Sequence, residues 1–242
     1  MNYNDICILD FESAGRNVYD TEEKLGCEPT QLSALILNPR TLKIKSVFNA
    51  NMRPLRPDDI EQEALDVTKK TKEEVLSYRH PKEVWEDFTK FIKNSLYEDK
   101  PFNYPILAGY NIDSFDAIII NRLCNTYGPT RKDKFSGQTV QGLFNTFVTI
   151  DLMKIIWLLM ENSNCLKQFS EQNKHDIKQT TVARWMGLKT DMAHDALYDV
   201  KLCATMLVKF IKMNRTLLGD GLTTGRAKFH NSLASEQMEC LV

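Results

Sequence analysis

Apolar residues run almost unbroken through DICILDF, residues 5–11, as expected of a central strand covered on both faces. Residues 13–29 are polar, contain Gly15, Gly26 and the charge run DTEEK, and predict a long loop. Two strand-like stretches follow, 31–37 and 42–52, joined by the turn signal Asn38-Pro39. The second alternates, with Leu42, Ile44 and then Val47 standing among lysines and serine. Strand, turn and strand predict that the first three strands form an antiparallel meander.

Beyond the proline-punctuated RPLRP the period changes to that of a helix. Thr71 with Glu74 forms a capping box that opens a short helix. Pro81 opens another, whose Val84, Trp85, Phe88, Phe91 and Ile92 fall on one face. A buried strand over 105–110 leads into a helix over 113–127, ended by Gly128-Pro129. Residues 129–145 are polar and glycine-containing; 147–152 reads as a strand, with a helix continuing through Trp157 to 160. The polar stretch 161–176 precedes a helix over 180–186. The last helix spans 194–213, with Ala196, Val200, Cys203, Leu207 and Ile211 on its buried side. Residues 214–242 have little periodicity and are expected to form a loosely ordered tail with a short helix over 233–238. This order of elements argues for one α/β domain over 1–213, built on a mixed sheet.

Composition narrows the function classes. The 242 residues are 43% hydrophobic and 26% charged, enough for one full-sized core. The longest apolar stretch, 150–160, already contains Asp151 and Lys154 and falls short of the roughly 20 residues a membrane helix needs. The opening MNYNDICILD has neither a basic region nor a small-residue cleavage site, so it is expected to belong to the fold. A net charge of −1, from 31 basic and 32 acidic residues, advertises no nucleic-acid partner by itself. Six cysteines are spread without a CxxC pair, as expected of reduced thiols in the cytoplasm.

Three separated pieces place acids at the ends of predicted buried elements. In Ile8-Leu9-Asp10-Phe11-Glu12-Ser13-Ala14-Gly15, strand alternation points Asp10 and Glu12 to one side. Two carboxylates there repel and lose hydration unless a cation sits between them. In Gly109-Tyr110-Asn111-Ile112-Asp113-Ser114-Phe115-Asp116, Asp113 is the expected N-cap and Asp116 lies one turn in. In His194-Asp195-Ala196-Leu197-Tyr198-Asp199, a regular helix would hold His194 and Asp199 about 140° apart. The conflict disappears if His194 lies in the lead-in turn and Asp195 caps the helix. Taken together, four carboxylates and one histidine suit a two-metal phosphoryl-transfer site.

On these residues the chain resembles the DEDDh 3′→5′ exonuclease family, of the proofreading and ribonuclease T kind, within the RNase H-like superfamily. The D-x-E motif followed by small residues and glycine matches Asp10, Glu12 and Ser13-Ala14-Gly15; N-x-x-F-D matches Asn111, Phe115 and Asp116; H-x4-D matches His194 and Asp199. The resemblance covers residues 5–213. It implies an RNase H-like α/β fold with a five-stranded mixed sheet flanked by helices. It also implies two Mg²⁺ or Mn²⁺ ions, with Asp10 bridging both, Glu12 and Asp199 completing one site and Asp116 serving the other. His194 would be the general base, and Ser13, Ala14, Asn111 and Phe115 would contact substrate. The expected activity is stepwise hydrolysis of single-stranded nucleic acid 3′ ends, DNA ahead of RNA, to nucleoside 5′-monophosphates. The alternatives are a ribonuclease T- or oligoribonuclease-like RNA trimmer and a catalytically silent binding module. No membrane partner is expected; a polymerase or homodimer partner is left open. The basic residues Arg131, Lys132 and Lys134, beside Phe135, are expected near the cleft, where they could track a single strand.

Overall fold

A computed structural model of the chain describes residues 4–21, 25–95, 104–134, 136–161, 168, 171–174, 176–190 and 195–218. The strands β1 (Ile6–Ser13), β2 (Pro29–Leu37) and β3 (Ile44–Asn51) form the antiparallel meander. Strand β4 (Ile106–Gly109) pairs parallel to β1, and β7 (Thr149–Asp151) pairs parallel to β4. The result is a five-stranded mixed sheet in the order β3-β2-β1-β4-β7. A separate antiparallel ribbon joins β5 (Thr130–Lys132) to β6 (Thr139–Gln141).

Helices α1 (Gln62–Thr68), α2 (Lys72–Leu76) and α3 (Pro81–Ser95) follow the meander. Helix α4 (Asp116–Tyr127) follows β4 after a 3₁₀ turn over Ile112–Ser114, and α5 (Leu152–Glu161) follows β7 directly. Then come α6 (Gln179–Trp185) and α7 (Ala196–Leu218). The chain divides into two units after Cys203; the described part of the second, 204–218, is the continuation of α7.

Cys7, Leu9, Leu32, Ala34 and Ile36 of the inner strands share one core with Val84, Trp85, Phe88 and Ile92 of α3 and Ile119, Ile120 and Leu123 of α4. The predicted face of α3 is thus the one that packs. Phe88 also meets Phe48 edge-on, with ring centroids 5.3 Å apart. Cys7, Cys27, Cys124 and Cys203 are buried free thiols; Cys165 and Cys240 lie outside the described residues. Among the described residues, no helix is long and apolar enough to cross a membrane.

Four expectations are corrected. On β3, Ile44 and Val47 are 51% and 47% exposed, while Phe48 and Ala50 pack on the core. As an edge strand, β3 carries apolar side chains outward, so alternation read from lysines mistook its face. Asp113 does not cap α4: it lies in the 3₁₀ turn and pairs with Lys154 at 2.5 Å. Residues 129–145 contain the β5–β6 ribbon instead of being only a loop. The strand expected over 147–152 shortens to three residues, because Asn145 Oδ1 accepts the Phe147 and Val148 N–H groups (2.8 and 3.2 Å) and holds them in a turn. The tail helix expected over 233–238 lies outside the described residues.

Candidate active site

The acidic residues meet where β1 ends. Side chains two apart on a strand share a face, so Asp10 and Glu12 emerge together. Asp199, in the first turn of α7, completes a group in which one carboxylate oxygen from each residue lies within 4.8 Å of the others. Asp116, only 3% exposed, stands at the start of α4. Its Oδ1 accepts the Phe11 backbone N–H at 2.9 Å, the amide between Asp10 and Glu12. That bond ties the mid-chain acid to the first strand.

Local sequence makes the convergence possible. A Cβ at Gly109 would lie 2.9 Å from the Leu9 carbonyl and 2.6 Å from Ile112 Cδ1, so only glycine lets the end of β4 close on β1. Asn111 takes a left-handed conformation (φ 60°), which asparagine tolerates better than most side chains. Its N–H donates to Asp151 Oδ1 at 3.0 Å. Asp195 caps α7 as expected, its Oδ1 accepting the Tyr198 N–H at 3.0 Å. Its other oxygen accepts from Gln31 Nε2 at 3.3 Å, and Gln31 lies opposite Glu12 in the β1–β2 register. Lys70 Nζ donates to Gln31 Oε1 at 3.2 Å. This chain of bonds holds the start of α7, and Asp199 with it, against the meander.

Crowding the acids is costly without a cation. Burial, then the charges of Asp116, Glu12, Asp199 and Asp195, push the Asp10 carboxyl well above its ordinary range. Burial and the Asp199 charge raise Glu12 to about 7, partly offset by Lys70. Burial raises Asp116 to about 8 despite the Phe11 N–H and its own backbone N–H, which stabilise the charged form. An all-oxygen, all-carboxylate donor set of this kind fits hard divalent cations such as Mg²⁺ or Mn²⁺.

Beside Glu12 lies a cavity of about 270 Å³, walled by Phe11, Ala64, Val67 and Phe115 and edged by Ser13 and Thr68. Of the expected substrate contacts, Ser13 and Phe115 line it; Ala14 and Asn111 do not. Ala14 is buried and holds the backbone instead, its N–H donating to Glu28 O and its carbonyl accepting from Glu61 N, both at 2.8 Å. His194 lies outside the described residues.

Sequence reasoning passed over Asp151, Gln31 and Lys70. Asp151, buried at the end of β7, accepts the Asn111 and Met153 N–H groups through Oδ1, while its Oδ2 is buried without a hydrogen-bond partner. An acid ending an apolar strand just before a helix was the available signal. Gln31 and Lys70 gave none, since their meaning depends on register and on where α1 ends.

The RNase_T exonuclease family model matches residues 7–121, a little under half of the chain. No curated protein matches the chain in sequence. The solved nuclease domain of 3'hExo, a DEDDh family member bound to rAMP, is similar over 87% of this chain and 93% of its own, at 18% identity and TM-score 0.58. A 3′-exonuclease solved in 3′-end-specific recognition of a histone mRNA stem-loop covers 88% and 84%, at 18% identity and TM-score 0.59. E. coli exonuclease I with a dT13 oligonucleotide matches 90% of this chain at 14% identity and TM-score 0.62, and the chain spans 43% of that protein. At these identities the structural likeness speaks to the fold, and the family match covers both Asp10-x-Glu12 and Asp116. Over residues 7–121 the chain is similar to the RNase_T exonuclease family, and its fold is like that of the solved 3′-exonuclease domains.

Proposed function

We propose that the chain hydrolyses single-stranded nucleic acid stepwise from the 3′ end, releasing nucleoside 5′-monophosphates, with two Mg²⁺ or Mn²⁺ ions as cofactors. The observation that carries this reading is the convergence of Asp10, Glu12 and Asp199 within 4.8 Å, next to a cavity of nucleoside size. Asp10, Glu12 and Asp199 would hold one ion, and Asp10 with Asp116 the other. Bound there, the ions would supply positive charge at the scissile phosphate and a nucleophile competent at neutral pH.

The chain's own residues then do the following. The apolar walls Phe11 and Phe115 seat the terminal nucleoside beside Glu12 and exclude water from one side of it. The Phe11 N–H fixes Asp116, so the acidic group does not reorganise as charge develops. The Gln31–Asp195 bond steadies the start of α7, which bears Asp199. His194, adjoining the cap residue Asp195, is assigned as the base that takes the proton from the attacking water.

The test uses 5′-labelled single-stranded DNA and RNA of one sequence, with Mg²⁺ and with chelator. The expected result is a ladder shortening from the 3′ end, stopped by chelation and by Asp10→Asn. Inertness of wild type on both strands would leave a binding module, and degradation unaffected by chelation would overturn the metal-dependent scheme. Comparing the two ladders decides between DNA and RNA.

A further inference from the structure

The basic residues expected beside the cleft lie at the other end of the sheet. Strand β1 covers about 20 Å from Ile6 to Glu12, and α4, at 1.5 Å per residue, runs about 18 Å from Asp116 to the ribbon. At the far end, Asn4 Nδ2 donates to the Tyr104 carbonyl at 3.0 Å, and the Asn145 N–H donates to Pro105 O at 2.9 Å. There a cavity of about 460 Å³, larger than the one at the acids, opens among Tyr104, Arg131, Lys132, Lys134, Asn145 and Phe147.

Its walls combine cations and rings. The Arg131 guanidinium lies 3.9 Å from the Tyr104 ring centroid, and its Nη2 donates to Phe144 O at 2.9 Å. The Arg131 Nη1 is buried and meets no hydrogen-bond partner among the described residues. Phe147 is 73% exposed, held out by the Asn145 turn. Three cations against the one acid Asp133 give the face a positive balance, opposite in sign to the other end of the sheet. The exposed Phe147 ring beside cations matches what an unpaired base and its phosphate bind.

We infer that this distal cavity holds the substrate strand some 20 Å upstream of its 3′ terminus, making a second single-strand contact that sets a length preference. The inference rests on the exonuclease reading for the strand's polarity. At roughly 3.4 Å per stacked nucleotide, the two sites are bridged by about six nucleotides, so a trimer cannot occupy both and a 20-mer can.

The test substitutes Phe147→Ala with Lys134→Ala and compares fluorescein-labelled 3-mers and 20-mers of one sequence. Anisotropy is measured in chelator and degradation in Mg²⁺. The expected result is an approximately tenfold weaker 20-mer affinity, a shallower salt dependence, and unchanged turnover of the trimer. Equal affinity for the 20-mer in both proteins overturns the inference and leaves the cavity to another anionic partner. Equal losses on both lengths overturn it as well, pointing to damage of the fold. If the wild type binds the 20-mer through this face yet degrades nothing, the nuclease reading fails while the contact stands.

Discussion

The two ends of the central sheet are built from opposite charge by the same means. At one end, β1, α4 and α7 gather carboxylates from residues 10 to 199, and burial with mutual repulsion raises Glu12 to about 7 and Asp116 to about 8. At the other, the β5–β6 ribbon gathers Arg131, Lys132 and Lys134 beside Tyr104 and Phe147. A net charge of −1 conceals both. Neutrality of a whole chain therefore says little about a polyanion partner when opposite charges are segregated about 20 Å apart.

The contrast can be broken hardest at the acidic end. Asp10→Asn removes the carboxylate between Asp116 and Glu12, and nuclease turnover is expected to fall by about 10⁴-fold or more, since several kcal/mol of charge stabilisation depend on it. Gel-resolved degradation checks this; turnover within tenfold of wild type would remove Asp10 from the mechanism. His194→Ala is expected to cost roughly 10²–10⁴-fold in turnover, as for a general base, with the circular dichroism spectrum unchanged.

A smaller effect tests whether the α7 start is held by the meander. Gln31→Ala is expected to lower activity by about 10–100-fold at limiting Mg²⁺, as for groups that orient ligands, with recovery at high Mg²⁺. An unchanged Mg²⁺ dependence would deny Gln31 its positioning role. The ribbon substitutions, at about tenfold on long strands only, sharpen the other end of the comparison.

The smallest effect is on stability. Glu12 and Asp116 carry folded-state values of about 7 and 8 against ordinary values of 4.5 and 3.8. The folded chain therefore binds more protons than the unfolded chain across that window, and stability falls as pH rises through it. In chelator, the melting midpoint is expected to drop by several degrees between pH 5 and pH 8.5, each kcal/mol being worth about 2–4 °C at this size. Mg²⁺ should restore it at pH 8.5. A pH-independent midpoint in chelator would mean that the acids are not crowded in solution.

Much of this was legible in the chain. Periodicity located β1, β2, α3 and α7, because each buries a face whose apolar spacing is set by its own backbone repeat. Where burial is partial the pattern misled: Ile44 and Val47 point outward on an edge strand, and the ribbon offers too few apolar positions to show a period. Asp113 has an N-cap's place in the sequence, but the 3₁₀ turn intervenes and Asp116 opens the helix instead.

By itself, then, the sequence determined the meander, the main helices and the identity of the acids, since strand alternation and helix capping are local. Only the tertiary structure decided that Asp199 reaches Asp10 and Glu12, that Asp151, Gln31 and Lys70 support them, and that the basic ribbon lies away from the acids. Those are long-range facts. They depend on parallel pairing of β1 with β4 and on a glycine close enough to Leu9 to permit it, and spacing along a chain does not encode which distant segments share an edge.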